Sequence, residues 1–225
     1  MTGKYVYPWD SSKFKGNQFT KDRLYDLMYK RGYPLKKIEV EPDDSTKKGI
    51  DMVLDAFFKE KAKPWLLVMS NSLELLQSLA IYVPSTVCLT TRMKVFNSSV
   101  EDMLRFYRAR LPRDDFEIDP AGEAVHSLTH AGFLVLDGIT QGGALSLSYA
   151  GSFYNTLSKR AGLRNARTMF PVLSEKAVSA KSVSQVFADI KNGFGVGVTA
   201  IIEQKADVLG VTKKIDKLTI RKGQV

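Results

Sequence analysis

The chain has 225 residues, 44% hydrophobic and 25% charged, a composition that excludes global disorder and allows one sizeable domain plus a small extension. Its formal charge of +9 and pI of about 9.5 point to an acidic partner: nucleic acid first, then an acidic protein, then a membrane surface. A single cysteine, Cys88, cannot form an internal disulfide and fits a reducing, cytoplasmic setting. No apolar run reaches the roughly 18 residues of a membrane span. The opening "MTGKYVYPWDSSKFKGNQF" lacks the apolar centre of a secretory signal, so neither is expected.

Residues 1–44 interleave aromatics, among them Tyr5, Tyr7, Trp9, Phe14 and Phe19, with lysines and arginines. Three uses are open to them: a small core, a base-stacking surface, or a docking strip for a partner protein. Thr20 as cap, Leu24, Leu27 and Met28 on one face and Gly32 as stop predict a helix over "TKDRLYDLMYKRG". The polar "EVEPDDSTKKG" reads as a linker. The expected division is an N-terminal extension, 1–44, and a core, 45–225.

The core is more regular. Ile50, Val53, Leu54, Phe57 and Phe58 recur at i, i+3, i+4, i+7 and i+8, the spacing of an amphipathic helix. "WLLVM" then reads as a buried strand, "SLELLQSLAIYV" as a helix and "STVCLTT" as a second strand. "SSVEDMLRFYRARL" begins with a capping serine and continues with a helical pattern. "GEAVHSLTHAG" is a short helix closing on Gly132, directly before the strand "FLVLD". A long helix, "ALSLSYAGSFYNTLSKRAG", leads to a fourth strand in "ARTMFPVL". "KSVSQVFADIKNG" reads as a helix, "FGVGVTAIIEQ" as a fifth strand, and the tail as short alternating runs suited to a hairpin. Strands separated by helices predict an α/β protein: a parallel sheet of about five strands covered on both faces. Ligands then belong beyond the carboxyl ends of the strands, which directs attention to Ser70–Ser72, Thr90–Lys94, Asp137–Gly143 and Ser174–Lys176.

A phosphate loop needs glycines, so that backbone N–H groups can cradle oxygens, and a lysine to neutralise them. The first strand–helix junction, "VMSNSLELLQS", has neither, and no GxxxxGK[ST] occurs in the chain. Asp137 stands where a magnesium-binding aspartate would stand at a strand end, but Gly138 follows in place of an acid. Its other reading is a cap on a helix or loop. "NGFGVGV" has the glycines of a dinucleotide fingerprint in the wrong context and reads as a turn. His126 and His130, four apart, form no visible metal site and read as a half-exposed helix face. Basic clusters remain. "RFYRARLPR" sets Arg105, Arg108, Arg110 and Arg113 beside Phe106 and Tyr107. "SKRAGLRNAR" adds Lys159, Arg160, Arg164 and Arg167. Guanidinium groups contact phosphates and aromatic faces stack on bases, and a solvated helix end is the alternative.

The order of elements from about Gly49 to Gln204 resembles the AAA+ domain of bacterial replicative helicase loaders of the DnaC/DnaI type. "LTHAGFLVLDG" is similar to the family's "ADLLVLDD", and "ARTMFPVLSEKAVS" to its "RPTIFTTNLS". The resemblance implies a three-layer fold like that of P-loop NTPases and AAA+ proteins, a small N-terminal extension that grips a hexameric helicase, and a core that touches single-stranded DNA. Four departures fall in one mechanism: no phosphate loop, Gly138 for the second acid, no polar sensor residue in "FPVLS", and no arginines in "KSVSQVFADIKNG". They imply a degenerate nucleotide site at Ser70, Asn71, Ser72, Asp137 and Gly138, with no cofactor and no hydrolysis. The expectation is a non-hydrolysing, loader-like replication protein of a phage or plasmid, binding single-stranded nucleic acid and a replicative helicase, with an oligomer permitted. The alternatives are an unorthodox nucleotide hydrolase built on Asp137, Glu74 and Lys94, and a purely protein-binding module.

Overall fold

The computed structural model describes residues 5–10, 40–91, 93–109, 120–140, 147–174, 178–212 and 220–221. In chain order the elements are α1 (Asp44–Phe58), β1 (Trp65–Ser70), α2 (Leu73–Thr91), β2 (Val95–Ser99), α3 (Val100–Ala109) and α4 (Pro120–His130). There follow β3 (Phe133–Asp137), α5 (Leu147–Ala161), β4 (Arg167–Leu173), α6 (Ala180–Phe194), α7 (Val196–Lys205), β5 (Ala206–Gly210) and β6 (Ile220–Arg221). The sheet runs β2-β3-β4-β1-β5-β6, with the first five strands parallel and β6 antiparallel to β5. This is the expected α/β architecture, and the return of Ile220 and Arg221 onto Leu209 and Val208 gives the tail its expected antiparallel pairing.

Side chains alternate across each strand, so each face of the sheet has its own core. Leu66 and Val68 of β1, with Phe133, Val135 and Met169, pack under α1 and α2. Trp65, Leu67 and Met69, with Leu134, Leu136 and Phe170, pack under helices α3 to α7. On α1 Ile50, Val53, Leu54 and Phe57 of the predicted stripe are buried, and Phe58, its last member, is half-buried. Its start lies inside the stretch read as a linker: Asp43 accepts the N–H of Thr46 at 2.7 Å and caps the helix.

Two expected strands are helical. "STVCLTT" is the second half of α2, which continues through Pro84 to Thr91, and the second strand is "VFNSS". The β-branched run is helical because Tyr82 to Leu89 are all buried. Hydroxyls on this helix bond back to carbonyls four residues earlier, Ser85 to Ile81 at 2.7 Å and Thr91 to Val87 at 2.7 Å. Pro84 has no N–H for the carbonyl of Ala80, and the side-chain amide of Asn97 on β2 donates to that oxygen at 3.2 Å. Among the described residues α2 alone is long and apolar enough to cross a membrane, which corrects the expectation of no such run; most of it is buried in the fold.

"FGVGVTAIIEQ" is helical, the end of α6 followed by α7, and the fifth strand is "ADVLG". Gly195, at φ 87°, turns the chain between α6 and α7, a conformation that favours glycine. The glycine-rich run is therefore helical except at Gly195, the single residue that turns, and it joins two helices rather than opening a strand. Val198 and Ile202 then face the core one turn apart. At the end of β5, a Cβ on Gly210 would lie 2.9 Å from Cβ of Val178, so only glycine fits this close approach.

Residues 5–10 lie on the α1–α2 layer. Tyr5 is buried and donates to Asp55 at 2.8 Å, and Val6 donates its N–H to Thr90 at 2.9 Å. Tyr7 stacks on Trp9 with centroids 4.7 Å apart, and Trp9 meets Tyr82 edge-on at 5.4 Å. Of the uses open to these aromatics, these three residues show a small core on their own domain. Phe14, Phe19 and the predicted helix at 20–32 lie outside the described residues.

Candidate functional site

β1 ends at Ser70 and α2 begins at Leu73, so Asn71 and Ser72 alone join them. The serine hydroxyls of this junction accept from nearby N–H groups, and its carbonyls from neighbouring segments. Ser70 Oγ accepts from Ser72 N–H at 3.2 Å, and Ser72 Oγ from Leu75 N–H at 3.3 Å. The carbonyl of Ser70 takes the N–H of Ser174 at 2.8 Å, and that of Met69 takes the N–H of Val211 at 2.8 Å. Ser70 is fully buried beneath these bonds, while Leu73 and Leu173 stand exposed on the same edge. A triphosphate needs several free N–H groups converging on it, with cations. Here Glu74 adds a carboxylate to the first turn of α2.

Asp137 is exposed at the end of β3 and accepts the N–H of its own neighbour, Gly138, at 2.7 Å. Gly138 holds φ 78° in the following turn. This is the loop-capping reading of Asp137. β4 lies between β3 and β1, which separates Asp137 from the Ser70 junction by about 10 Å at ~4.8 Å per strand. The β3–β4 ladder ends at Val135 opposite Met169, and Pro171 beyond it has no N–H to give.

Thr90, Thr91 and Lys94 lie at the other edge of the sheet, because the second strand starts after them. Lys94 precedes β2, and its carbonyl accepts from Phe133 N–H at 3.1 Å where β3 begins. Asp137 pairs in register with Ser99 at the far end of β2, so the length of a five-residue strand, ~16 Å, stands between Lys94 and Asp137. The two cannot serve one hydrolytic centre. His126 and His130 stack at 4.2 Å on the exposed face of α4, and the described residues contain no group of three metal-ligating side chains.

The basic clusters divide. Arg160, expected on a nucleic-acid surface, is fully buried. Its Nε donates to Thr168 Oγ1 at 2.7 Å, and its terminal nitrogens to the carbonyls of Leu128, Thr129, Ala131 and Arg167. Leu128 and Thr129 belong to the last turn of α4, whose carbonyls have no helical partner. Arg160 therefore fastens α4 to α5 and β4, and its nucleic-acid assignment is withdrawn. Burial pulls its pKa down to about 9, which leaves it charged at neutral pH. The signal was in the sequence: Phe153, Thr156, Leu157 and Arg160 fall at i, i+3, i+4 and i+7, one helical face. Arg167 is half-buried at the start of β4, and burial lowers its pKa too.

Arg105 is exposed and bonded along α3 to Glu101 at 2.6 Å. Phe106 and Tyr107 pack inward against the α3–α7 core, and Tyr107 hydroxyl bonds to Thr156 Oγ1 and the Ser152 carbonyl. Arg108 lies over the ring of Tyr149, 5.3 Å from its centroid. Lys159 and Arg164 are exposed on and just after α5. Arg110 and Arg113 lie outside the described residues. α3 and α5 thus gather Arg108, Lys159 and two tyrosines on one face, while Arg164 stands at the amino edge of the sheet.

No protein-family model matches the chain, and no curated protein sequence matches it significantly. Among solved structures the fold is similar to the crystal structure of the DnaC helicase loader, with TM-score 0.55, 15% identity, and coverage of 76% of this chain and 93% of that one. That likeness shows an AAA+-like fold. Two weaker likenesses carry no argument: AMPPCP-bound DnaA from Aquifex aeolicus, with TM-score 0.44, 12% identity and coverage of 67% and 46%, and a DNA replication initiation factor, with TM-score 0.41, 12% identity and coverage of 76% and 47%.

Proposed function

We propose that this protein is a loader-like replication factor that keeps an AAA+-like scaffold without hydrolysing ATP, binds single-stranded nucleic acid, and contacts a partner such as a replicative helicase. The observation that carries the reading is the β1–α2 junction. In a fold similar to a helicase loader, two residues stand where a phosphate loop would run, and the hydroxyls of Ser70 and Ser72 take up the N–H groups of Ser72 and Leu75. With no triphosphate to close around, what remains is a scaffold of surfaces and a charge of +9. Arg108, Lys159 and Arg164 supply exposed cations for phosphates. The partner contact is assigned to the N-terminal segment around Tyr7 and Trp9, whose half-buried rings leave an edge on the surface; buried Tyr5 anchors it.

Two titrations test this. A labelled ATP analogue with magnesium should give no saturable binding, and a labelled single-stranded oligonucleotide should bind with an affinity that falls steeply as salt rises. Saturable ATP binding with turnover lost in Asp137→Asn would overturn the non-hydrolysing half. An oligonucleotide affinity that is absent or salt-independent would remove the other. Trp9→Ala should weaken co-elution with a replicative helicase without changing oligonucleotide affinity.

A further inference from the structure

We infer that the cleft between α3, α4 and α5 is a binding pocket for one nucleotide monophosphate unit, a flat ring carrying a phosphate. The inference deepens the proposed function and rests on its nucleic-acid reading. The cleft is open to solvent and has a volume of about 360 Å³, within the range of roughly 300–1,000 Å³ that small-molecule sites occupy. α3 contributes Tyr107, α4 contributes Val125 and Thr129, and α5 contributes Tyr149, Asn155 and Lys159.

Its walls are tied together by hydrogen bonds between the helices. Tyr107 hydroxyl ties α3 to Thr156 and Ser152 of α5, and Arg160 ties the last turn of α4 to α5 from beneath. A pre-formed cleft loses little on binding. Among the described residues that line it, Lys159 is the one charged side chain and none is a carboxylate, and Arg108 brings a second cation over the Tyr149 ring. The nearest acids on α3 are committed, Glu101 to Arg105 at 2.6 Å and Asp102 to Ser99 at 2.8 Å. Two tyrosine rings offer faces and edges to a planar ligand, Asn155 offers an amide that can both donate and accept, and the cations suit a phosphate. The hydroxyl of Thr129 is already bonded to the Val125 carbonyl at 3.0 Å, so recognition falls to Asn155, Tyr149 and Lys159.

The unit could arrive as a free nucleotide or as one link of a single strand, and the probes separate the two. Calorimetric titration with deoxyadenosine monophosphate and with deoxyribose 5-phosphate is compared with binding of a normal oligonucleotide and of one carrying abasic sites. Asn155→Leu keeps the net charge and sits on the exposed side of α5, and Tyr149→Ala removes a ring. The mononucleotide should bind more tightly than the sugar phosphate, and each variant should cost about tenfold, the size of one lost base contact. If the variants also weaken the normal strand but not the abasic one, the pocket takes a link of the strand. If they weaken only the mononucleotide, it takes a free nucleotide. The inference is overturned if the wild-type chain binds no mononucleotide and treats normal and abasic strands alike. Strand binding with that result would leave the proposed function standing and remove the pocket. Mononucleotide binding without strand binding would do the reverse.

Discussion

The most consequential side chain is Arg160, a charge with no solvent exposure whose hydrogen bonds reach a threonine and four backbone carbonyls. Arg160→Leu leaves those buried oxygens unpaired, at about 1–3 kcal/mol for each that finds no other donor. The expected loss in denaturant unfolding is on the order of 3 kcal/mol or more. Arg160→Lys should recover little of it, since an ammonium cannot reproduce the planar fork. Tyr7 gives a pH test. Its burial, then its hydrogen bond to Asp51, raise its pKa above the ordinary 10.0. A raised folded-state pKa on a group that ionises to an anion stabilises the fold fully below the unfolded value. That contribution is lost as pH climbs from there toward the folded value. Stability should therefore decline above about pH 10, and Tyr7→Phe should flatten part of the decline in alkaline melts. Arg160 was named from its basic neighbourhood, and its role was hidden because a local cluster says nothing of which face a helix buries. The i, i+3, i+4, i+7 spacing did say so.

Helix α2 is the element the sequence concealed most. Pro84 and the run "STVCLTT" have the local chemistry of a helix end and a strand, and burial on all sides overrides both. The carbonyl that Pro84 strands is answered from β2, by Asn97. Asn97→Leu should destabilise the fold by about 1–3 kcal/mol, and adding Pro84→Ala should return part of it, because a backbone N–H then reaches Ala80. A double-mutant cycle that shows simple additivity would deny the link. α7 likewise formed from a β-branched, glycine-rich stretch, there by burying one face, Val198, Thr199 and Ile202. There Gly195 is decisive: Gly195→Ala forces a side chain into φ 87° and should cost about 1–2 kcal/mol in unfolding measurements.

For the whole molecule, charge is the measurable quantity. Exposed Arg108, Lys159 and Arg164 engaging three phosphates of a single strand would give a log–log salt slope of about −2, and Arg164→Ala should reduce its magnitude by about 0.7. The layer order, the buried central strands and the helical stripe on α1 were all legible in the sequence, because each depends on residue types at a fixed local spacing. So was the position of Asp137 at a strand end. Which edge of the sheet Lys94 occupies was not, since it turned on whether α2 stopped at Val83 or ran on to Thr91. Nor was the inward turn of Arg160 read, nor the packing of Tyr5 on α1, nor the cleft walled by three helices. Sequence by itself determined what the β1–α2 junction lacks. Only the tertiary structure decided what fills it and where the cations gather, because burial and long-range hydrogen bonds are set by elements that meet in space and not along the chain.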